Sequence, residues 1–149
     1  METGIDTREA ALQQIRDRLR PGQQTMADWQ MGPLAVAAVP GSGKSTGMAA
    51  AAAIAIARHQ LHAQHQLIVV TFTRSAAANL KVKIRQHLKA LSLPPHGFMV
   101  QTLHGLALNI ATRNPELSGL NLEAMTLIAP NQSHRLVRTC VEQWVAANR

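Results

Sequence analysis

The stretch AVPGSGKST at residues 38–46 places glycines, a lysine and hydroxyl side chains at a spacing that suits phosphate binding. Gly41 and Gly43 let the backbone turn so that successive N–H groups point at phosphate oxygens. Lys44 can reach the β and γ phosphates, and the Ser45 hydroxyl can ligate Mg²⁺. A strand–helix turn that merely needs glycine is the alternative, but the apolar run before the loop and the helical pattern after it favour a nucleotide site. The residues predicted to hold the nucleotide, with Lys44 and Ser45 also serving catalysis, are Ala38, Val39, Pro40, Gly41, Ser42, Gly43, Lys44, Ser45 and Thr46.

Alternating apolar and helical segments must position this loop. Short apolar runs predict strands, which we place at residues 34–39, 67–72, 98–102 and 125–128. Helical periodicity predicts helices at residues 7–19, 44–61, 75–91, 103–112 and 133–147, with a short helical turn at 25–30. Strand–helix alternation is typical of a parallel sheet with helices on both sides. We therefore predict one α/β P-loop domain over residues 1–149, with its first two strands buried on both faces.

Composition predicts a globular protein of a reducing compartment. Hydrophobic residues make up 46% of the 149 residues and charged residues 15%, as in folded domains. The single cysteine, Cys140, excludes an internal disulfide. The start METGIDTRE is too polar for a signal peptide, and the longest apolar run, residues 48–57, is too short to span a bilayer. We expect a cytoplasmic protein without membrane contact.

The formal net charge of +7 is unevenly distributed. Residues 1–43 hold four basic and five acidic side chains, whereas residues 44–149 hold eleven basic and three acidic ones. A basic body favours a polyanionic partner, nucleic acid before others, although general solubility is the alternative explanation.

Three further segments accompany the phosphate loop in a fixed order. They are LRPGQ at 19–23, VVTFTRSAAANLKVKI at 69–84 and VQTLHGLA at 100–107. Together with the loop they resemble the N-terminal motor domain of UvrD/Rep/PcrA-type superfamily 1 DNA helicases. The family patterns are Leu-Asn-x-x-Gln, Ala-Gly-x-Gly-Ser-Gly-Lys-Thr, Thr-Phe-Thr-Asn-Lys-Ala-Ala and Thr-x-His-x-Leu-Ala. The resemblance implies a RecA-like fold, incomplete here, with a Q motif at about 19–27, Walker A at 38–45, motif Ia at 69–84 and motif Ib at 100–107.

The resemblance also implies roles for individual residues. Gln23 falls on the Q-motif glutamine, whose amide can pair with a donor and an acceptor on adenine, and this selects ATP. Thr46 stands where many members carry an arginine near the base, which weakens the expected adenine packing. In motif Ia, Arg74-Ser75 replaces Asn-Lys and moves the positive charge by one position. The residues implied to contact single-stranded DNA are Thr71, Phe72, Thr73, Arg74, Thr102 and His104.

The residues themselves support a ligand at the strand ends. In an open parallel sheet, ligands collect at the carboxyl ends of the strands, where all three motifs lie. Phe72 ends a strand where a base can stack on it, although a core role is the ordinary expectation for a phenylalanine. Lys81, Arg85 and Lys89 form a stripe opposite Leu80, Ile84 and Leu88. This stripe either contacts a phosphate backbone or is a solvated helix face.

Two absences shape the functional prediction. ATP hydrolysis needs a Walker B acid pair, yet downstream of Lys44 the acids are Glu116, Glu123 and Glu142, with no Asp. We therefore expect ATP and single-strand binding without turnover, with a second polypeptide as a possible source of the rest of the motor. His59, His62 and His65 have a spacing that metal ligands sometimes show, but no carboxylate or cysteine joins them. The alternatives are a small P-loop kinase and a non-catalytic nucleic-acid-binding remnant.

Overall fold

The computed structural model describes residues 3–119, 125–126 and 128–148 of the chain. Its elements, in chain order, are helices α1 (Thr3–Asp17), α2 (Pro21–Ala27) and α3 (Lys44–Arg58), strand β1 (Leu67–Thr71), helix α4 (Arg74–Ala90), strand β2 (Phe98–Thr102), and helices α5 (Leu103–Arg113), α6 (Pro115–Ser118) and α7 (Pro130–Ala147). The molecule is a mixed α/β structure in which helices predominate.

The predicted helices are present, with ends that differ by a few residues from the expected ones. Helix α3 begins immediately after Gly43, which caps it in a left-handed conformation. Helix α4 begins after Thr73, whose hydroxyl accepts a hydrogen bond from the Ala76 N–H at 3.1 Å. This bond satisfies one of the N–H groups that have no partner within the helix. The short segment before the loop is helical from Pro21, earlier than predicted, because proline is favoured in the first turn of a helix.

The two strands pair in parallel, with Leu67 opposite Phe98 and Thr71 opposite Thr102. Among the described residues, β1 pairs only with β2, so the sheet is two-stranded. Side chains alternate along β1: Leu67 and Val69 pack against the core, whereas Ile68 is 53% exposed. The prediction that β1 is buried on both faces is therefore wrong, because helices cover one face of this small sheet.

The predicted strand at residues 34–39 is also absent. These residues form neither helix nor strand and are exposed. Instead of pairing with β1, the segment contributes Leu34 to an apolar cavity that it shares with residues 67–70 of β1. An apolar run becomes a strand only if its backbone pairs with a neighbouring strand, and residues 34–39 do not pair with the open edge of β1. The predicted strand at 125–128 includes Leu127, which lies outside the described residues; Met125, Thr126 and Ile128 are in neither helix nor strand.

The core lies among α1, α2, α3 and α4. Ile54 of α3 and Ile84 and Leu88 of α4 are the largest fully buried side chains. The alanines of α3 let the neighbouring helices approach closely, because their side chains add little bulk. The other buried core residues in these helices, or directly after α1 and α4, are Leu12, Ile15, Leu19, Ala27, Ala49, Ala50, Ala52, Ala53, Ile56, Ala57, Leu80 and Leu91.

Polar contacts fasten the end of α2 to its neighbours. The Arg16 guanidinium donates two hydrogen bonds to the Asp28 carboxylate, at 2.6 and 2.7 Å. This bidentate pair lowers the pKa of Asp28 below its ordinary value. Arg58, at the end of α3, donates to the Ala27 carbonyl at 3.2 Å. The helix that carries Gln23 is therefore held from two sides.

The chain divides into two compact units, residues 1–106 and 107–149. The first contains the sheet and the phosphate loop, and the second contains most of α5 together with α6 and α7. Within the described ranges, no helix combines the length and the apolar character that crossing a membrane requires.

Candidate nucleotide and nucleic-acid site

The loop at residues 38–45 turns tightly before α3. Gly41 and Gly43 have φ angles of 77° and 84°, in the left-handed region that favours glycine. The Ser42 N–H donates to the Val39 carbonyl at 3.2 Å and closes a tight turn. The loop then leads directly into α3, so the positive end of the helix dipole faces the loop.

Lys44 lies folded over this turn. Its ammonium donates hydrogen bonds to the carbonyls of Ala38 and Val39, at 2.8 and 2.9 Å. Both bonds are exposed, so the ammonium can exchange these neutral acceptors for charged ones. Phosphate oxygens are stronger partners for an ammonium than carbonyls are, because charge-assisted hydrogen bonds are about twice as strong as neutral ones.

Two hydroxyl groups of the loop fit a polar ligand. The Ser42 Oγ atom is buried and has no hydrogen-bond partner within the described part of the chain. A buried hydroxyl without a partner is costly, which makes this atom a natural contact for a bound polar group. Ser45 is exposed in the first turn of α3, where its hydroxyl is accessible to Mg²⁺. The residues present therefore fit a phosphate chain with its metal.

Gln23 contacts the loop directly. Its amide nitrogen donates to the Gly43 carbonyl at 3.0 Å and lies 3.4 Å from the Ser42 carbonyl. Its amide oxygen accepts from the Arg20 N–H at 3.0 Å. An amide has two N–H donors and two lone pairs on oxygen, so one lone pair and a weakly engaged N–H remain for a further partner. The sequence-based prediction did not foresee that Gln23 also supports the loop.

A cavity of about 380 Å³ opens between α2 and the loop. Its size lies within the range of about 300–1,000 Å³ usual for ligand pockets. Apolar side chains such as Met26, Val36 and Val39 line one part, and Gln23 and Lys44 line another. This combination suits a flat base bearing a charged tail. Met26 and Val36 were not predicted as site residues, because an isolated apolar residue carries no sign of ligand contact.

The segments predicted as motifs Ia and Ib meet at the carboxyl ends of the two strands, which is the sheet edge meant below. Thr71 ends β1 and Thr102 ends β2, and the two residues are opposite each other in the register. Their hydroxyls serve the local backbone: the Thr71 Oγ1 donates to the Thr73 carbonyl at 3.0 Å, and the Thr102 Oγ1 accepts from the Gly105 N–H at 3.1 Å. These bonds shape the two turns that leave the sheet.

The side chains beside these turns are accessible. Phe72 is 85% exposed, although a phenylalanine is usually buried. Arg74 and His104 are exposed as well. Thr73 is engaged as the cap of α4. The sheet edge therefore presents an aromatic ring, a guanidinium and an imidazole.

The outer face of α4 is basic, as the periodicity predicts. Lys81, Arg85 and Lys89 are exposed, whereas Leu80, Ile84 and Leu88 on the opposite face are buried. A fourth cation, Lys83, is only partly exposed and donates to the Thr46 hydroxyl at 3.2 Å. The sequence alone did not single out Lys83, because it lies outside the exposed stripe and is far from Thr46 along the chain.

The histidines at 59, 62 and 65 do not form a ligand set. The rings of His62 and His65 stack edge to face with centroids 5.2 Å apart. Their backbones exchange hydrogen bonds of 3.0 and 3.1 Å, which close a small turn. Where residues are described, no group of three or more His, Cys, Asp or Glu side chains is arranged to hold a metal ion.

Comparison with known proteins shows which family the chain matches. The family described as UvrD/REP helicase N-terminal domain matches residues 19–148. The chain is 36% identical over 107 residues to the ATP-dependent DNA helicase Rep of Escherichia coli. The aligned residues make up 72% of this chain and 15% of that protein. It is 35% identical over 103 residues to the ATP-dependent DNA helicase Rep of Salmonella typhimurium, covering 69% of this chain and 15% of the relative. The matched region spans about 15% of the length of these relatives.

Proposed function

Because this chain belongs to the UvrD/REP helicase N-terminal domain family, we propose that it is the ATP-binding and single-stranded-DNA-contacting segment of a UvrD/Rep-type DNA helicase. By itself it binds ATP with Mg²⁺ and a single DNA strand in the cytoplasm, without unwinding a duplex. The fold we propose for residues 1–149 is the beginning of a RecA-like P-loop domain. A second polypeptide, or further residues of the same polypeptide, supplies the rest of the motor.

The observation that carries this proposal is the loop at residues 38–45. Gly41 and Gly43 take left-handed conformations, Lys44 closes over the turn, and the buried Ser42 hydroxyl has no partner among the described residues. A phosphate chain brings several strong acceptors, so it can accept hydrogen bonds from the loop N–H groups, from Lys44 and from the Ser42 hydroxyl. Ser45 then holds the Mg²⁺ that neutralises part of the phosphate charge.

Adenine recognition is assigned to the cavity beside α2. Met26, Val36 and Val39 provide apolar contact with the base, and Gln23 provides its remaining donor and acceptor. Because Gln23 also hydrogen-bonds the Gly43 carbonyl, its position depends on the conformation of the phosphate loop. The same side chain thereby connects the base to the phosphates.

The single strand is assigned to the sheet edge where motifs Ia and Ib meet. Thr71 and Thr102 lie opposite each other there, and the exposed Phe72 ring provides a stacking platform for a base. Arg74 and His104 flank the edge, and Arg74 can pair with a phosphate.

The lack of turnover follows from the acids of the chain. Downstream of Lys44 there are three glutamates and no aspartate. Phosphoryl transfer needs carboxylates that hold Mg²⁺ and orient the attacking water. We therefore propose that residues 1–149 alone bind ATP without hydrolysing it.

Equilibrium binding of ATPγS with Mg²⁺ tests the proposal. We expect Lys44→Ala to weaken binding by about tenfold or more, because it removes a charge-assisted contact. Arg18→Ala, at an exposed cation outside the basic stripe of α4, is the matched control and keeps wild-type affinity. ATPγS should also shift the affinity of the wild-type chain for single-stranded DNA, and not that of Lys44→Ala. Equal nucleotide binding by wild type and Lys44→Ala contradicts the proposal, as does phosphate release from ATP.

A further inference from the structure

Lys83 lies at the same end of α3 as the phosphate loop. It belongs to α4, but its ammonium donates to the Thr46 hydroxyl at 3.2 Å, and Thr46 is in the first turn of α3. The contact joins residues 37 positions apart, so only the packing of the two helices produces it. The lysine is partly covered, whereas its neighbours Lys81 and Arg85 are exposed. The ammonium of Lys83 therefore contacts the first turn of α3 through an exposed hydrogen bond.

This position is unfavourable for a cation in the absence of an anion. The N-terminus of a helix carries about half a positive charge, and cations are stabilised at the opposite end. Lys44 is the first residue of the same helix, and its ammonium donates hydrogen bonds to two loop carbonyls. The ion pairs found in the described residues involve Arg16 with Asp17 and Asp28, and Arg138 with Glu142. No acidic side chain described here therefore offsets Lys83 or Lys44.

A separate observation indicates what offsets this charge. The buried Ser42 Oγ atom, in the turn before α3, has no hydrogen-bond partner in the described part of the chain. A single polyanion at this point accepts from Ser42, from Lys44 and from the N-terminal N–H groups of α3 at once. The hydroxyl of Thr46 is a weaker acceptor for Lys83 than a phosphate oxygen is, because it is neutral.

We propose that Lys83 is an additional nucleotide-binding residue, whose ammonium contacts the phosphate chain held by the loop at residues 38–45. The inference rests on the proposed function and adds to it a cation from a different helix. The four-carbon stem of lysine is flexible, so the ammonium can move from Thr46 to a phosphate oxygen while α4 stays in place. The ligand class recognised by Lys83 is the polyphosphate, not the base.

Lysine footprinting of the wild-type chain tests this without a variant that has to fold. The protein is acetylated with an amine-reactive reagent, with and without tripolyphosphate or ATPγS and Mg²⁺, and the rate at each lysine is read by mass spectrometry. We expect either ligand to slow modification of Lys83 and Lys44 severalfold, whereas exposed Lys81 and Lys89 react at unchanged rates. Protection of Lys44 without protection of Lys83 overturns the inference and leaves the proposed function standing. Protection of neither residue overturns both.

Affinity measurements on variants give an independent readout. We expect Lys83→Met to weaken tripolyphosphate binding by about tenfold, as the loss of one charge-assisted hydrogen bond implies, and Lys83→Arg to retain most of the affinity. Arg18→Met, which removes an exposed cation outside the basic stripe of α4, is the control. A thermal midpoint measured without ligand checks that Lys83→Met is folded. Wild-type tripolyphosphate affinity in a folded Lys83→Met protein contradicts the inference.

Discussion

Thr71 and Thr102 are opposite each other in the last pair of the parallel sheet, which brings two segments separated by a whole helix to one edge. Their hydroxyls shape the turns that follow, through bonds to the Thr73 carbonyl and from the Gly105 N–H. Phe72, next to Thr71, is left exposed at this edge. We propose that a single DNA strand lies on this surface.

Phe72→Ala tests the stacking role. We expect the affinity for a short single-stranded oligonucleotide to fall by about 1–3 kcal/mol, the contribution of one stacked base. Stability should hardly change, because the ring is 85% exposed. Met31→Ala, at a side chain that is 87% exposed, is the control for losing an exposed apolar group. Fluorescence anisotropy measures binding, and equal affinities of the two variants contradict a stacking role.

The basic stripe on α4 can be tested through salt. Replacing Lys81, Arg85 and Lys89 by glutamine should make the slope of log affinity against log salt less negative by about 2, since each single-strand phosphate contact contributes about 0.7. A double Arg8→Gln, Arg18→Gln variant removes exposed charges elsewhere and should affect the slope less. If the stripe variant keeps the wild-type slope, these residues form an ordinary solvated face.

Gly97 precedes β2 at a close approach of two segments. A Cβ atom at this position lies 2.5 Å from the Leu61 carbonyl oxygen, and φ is +84°. Gly32 has the same φ, but its Cβ meets nothing within 4 Å. Both alanine variants pay the left-handed strain of about 1–2 kcal/mol, and Gly97→Ala adds about 1–3 kcal/mol for the clash. Urea unfolding measures the difference, and equal losses in the two variants contradict the clash.

His87 makes stability depend on pH. Burial lowers the pKa of His87 below the ordinary value of 6.5, and the nearby charge of Lys83 lowers this pKa further. The unfolded chain therefore takes up this proton at a higher pH than the folded chain does. Stability is fully present above about pH 6.5 and declines as the pH falls from there toward the lower folded pKa. We expect urea unfolding of His87→Gln to show a smaller loss between pH 8 and pH 5 than wild type shows, and an equal loss contradicts this.

The open edge of β1 predicts self-association. Ile68 is 53% exposed on a strand that pairs on one side only, as far as the chain is described. Unpaired, apolar strand edges promote association between chains, and a lysine on such a strand opposes it. Ile68→Lys should therefore reduce light scattering at high protein concentration. Val82→Lys adds the same charge at a 51% exposed valine of α4 and should have a smaller effect; equal effects would attribute the change to net charge alone.

The local pattern of residues was sufficient for most helices and for the left-handed glycines of the loop. Leu80, Ile84 and Leu88 are spaced so that one side of a helix is apolar, and that side is the buried one. The glycines of the loop indicate left-handed turns, and Gly41 and Gly43 have them. These features are readable because they depend on neighbours within a few positions, where spacing alone determines which side chains share a face.

Tertiary structure decided what depends on partners distant in the chain. The apolar run at residues 34–39 has the composition of a buried strand, yet it pairs with nothing described, because backbone pairing needs a second strand at the right place. Gln23 reaches the Gly43 carbonyl, and Lys83 reaches Thr46, only through the packing of α2 and α4 on α3. The sequence by itself determined the family, most helices and the glycine turns of the loop at residues 38–46, while the packing of α2, α3 and α4 decided which side chains surround that loop.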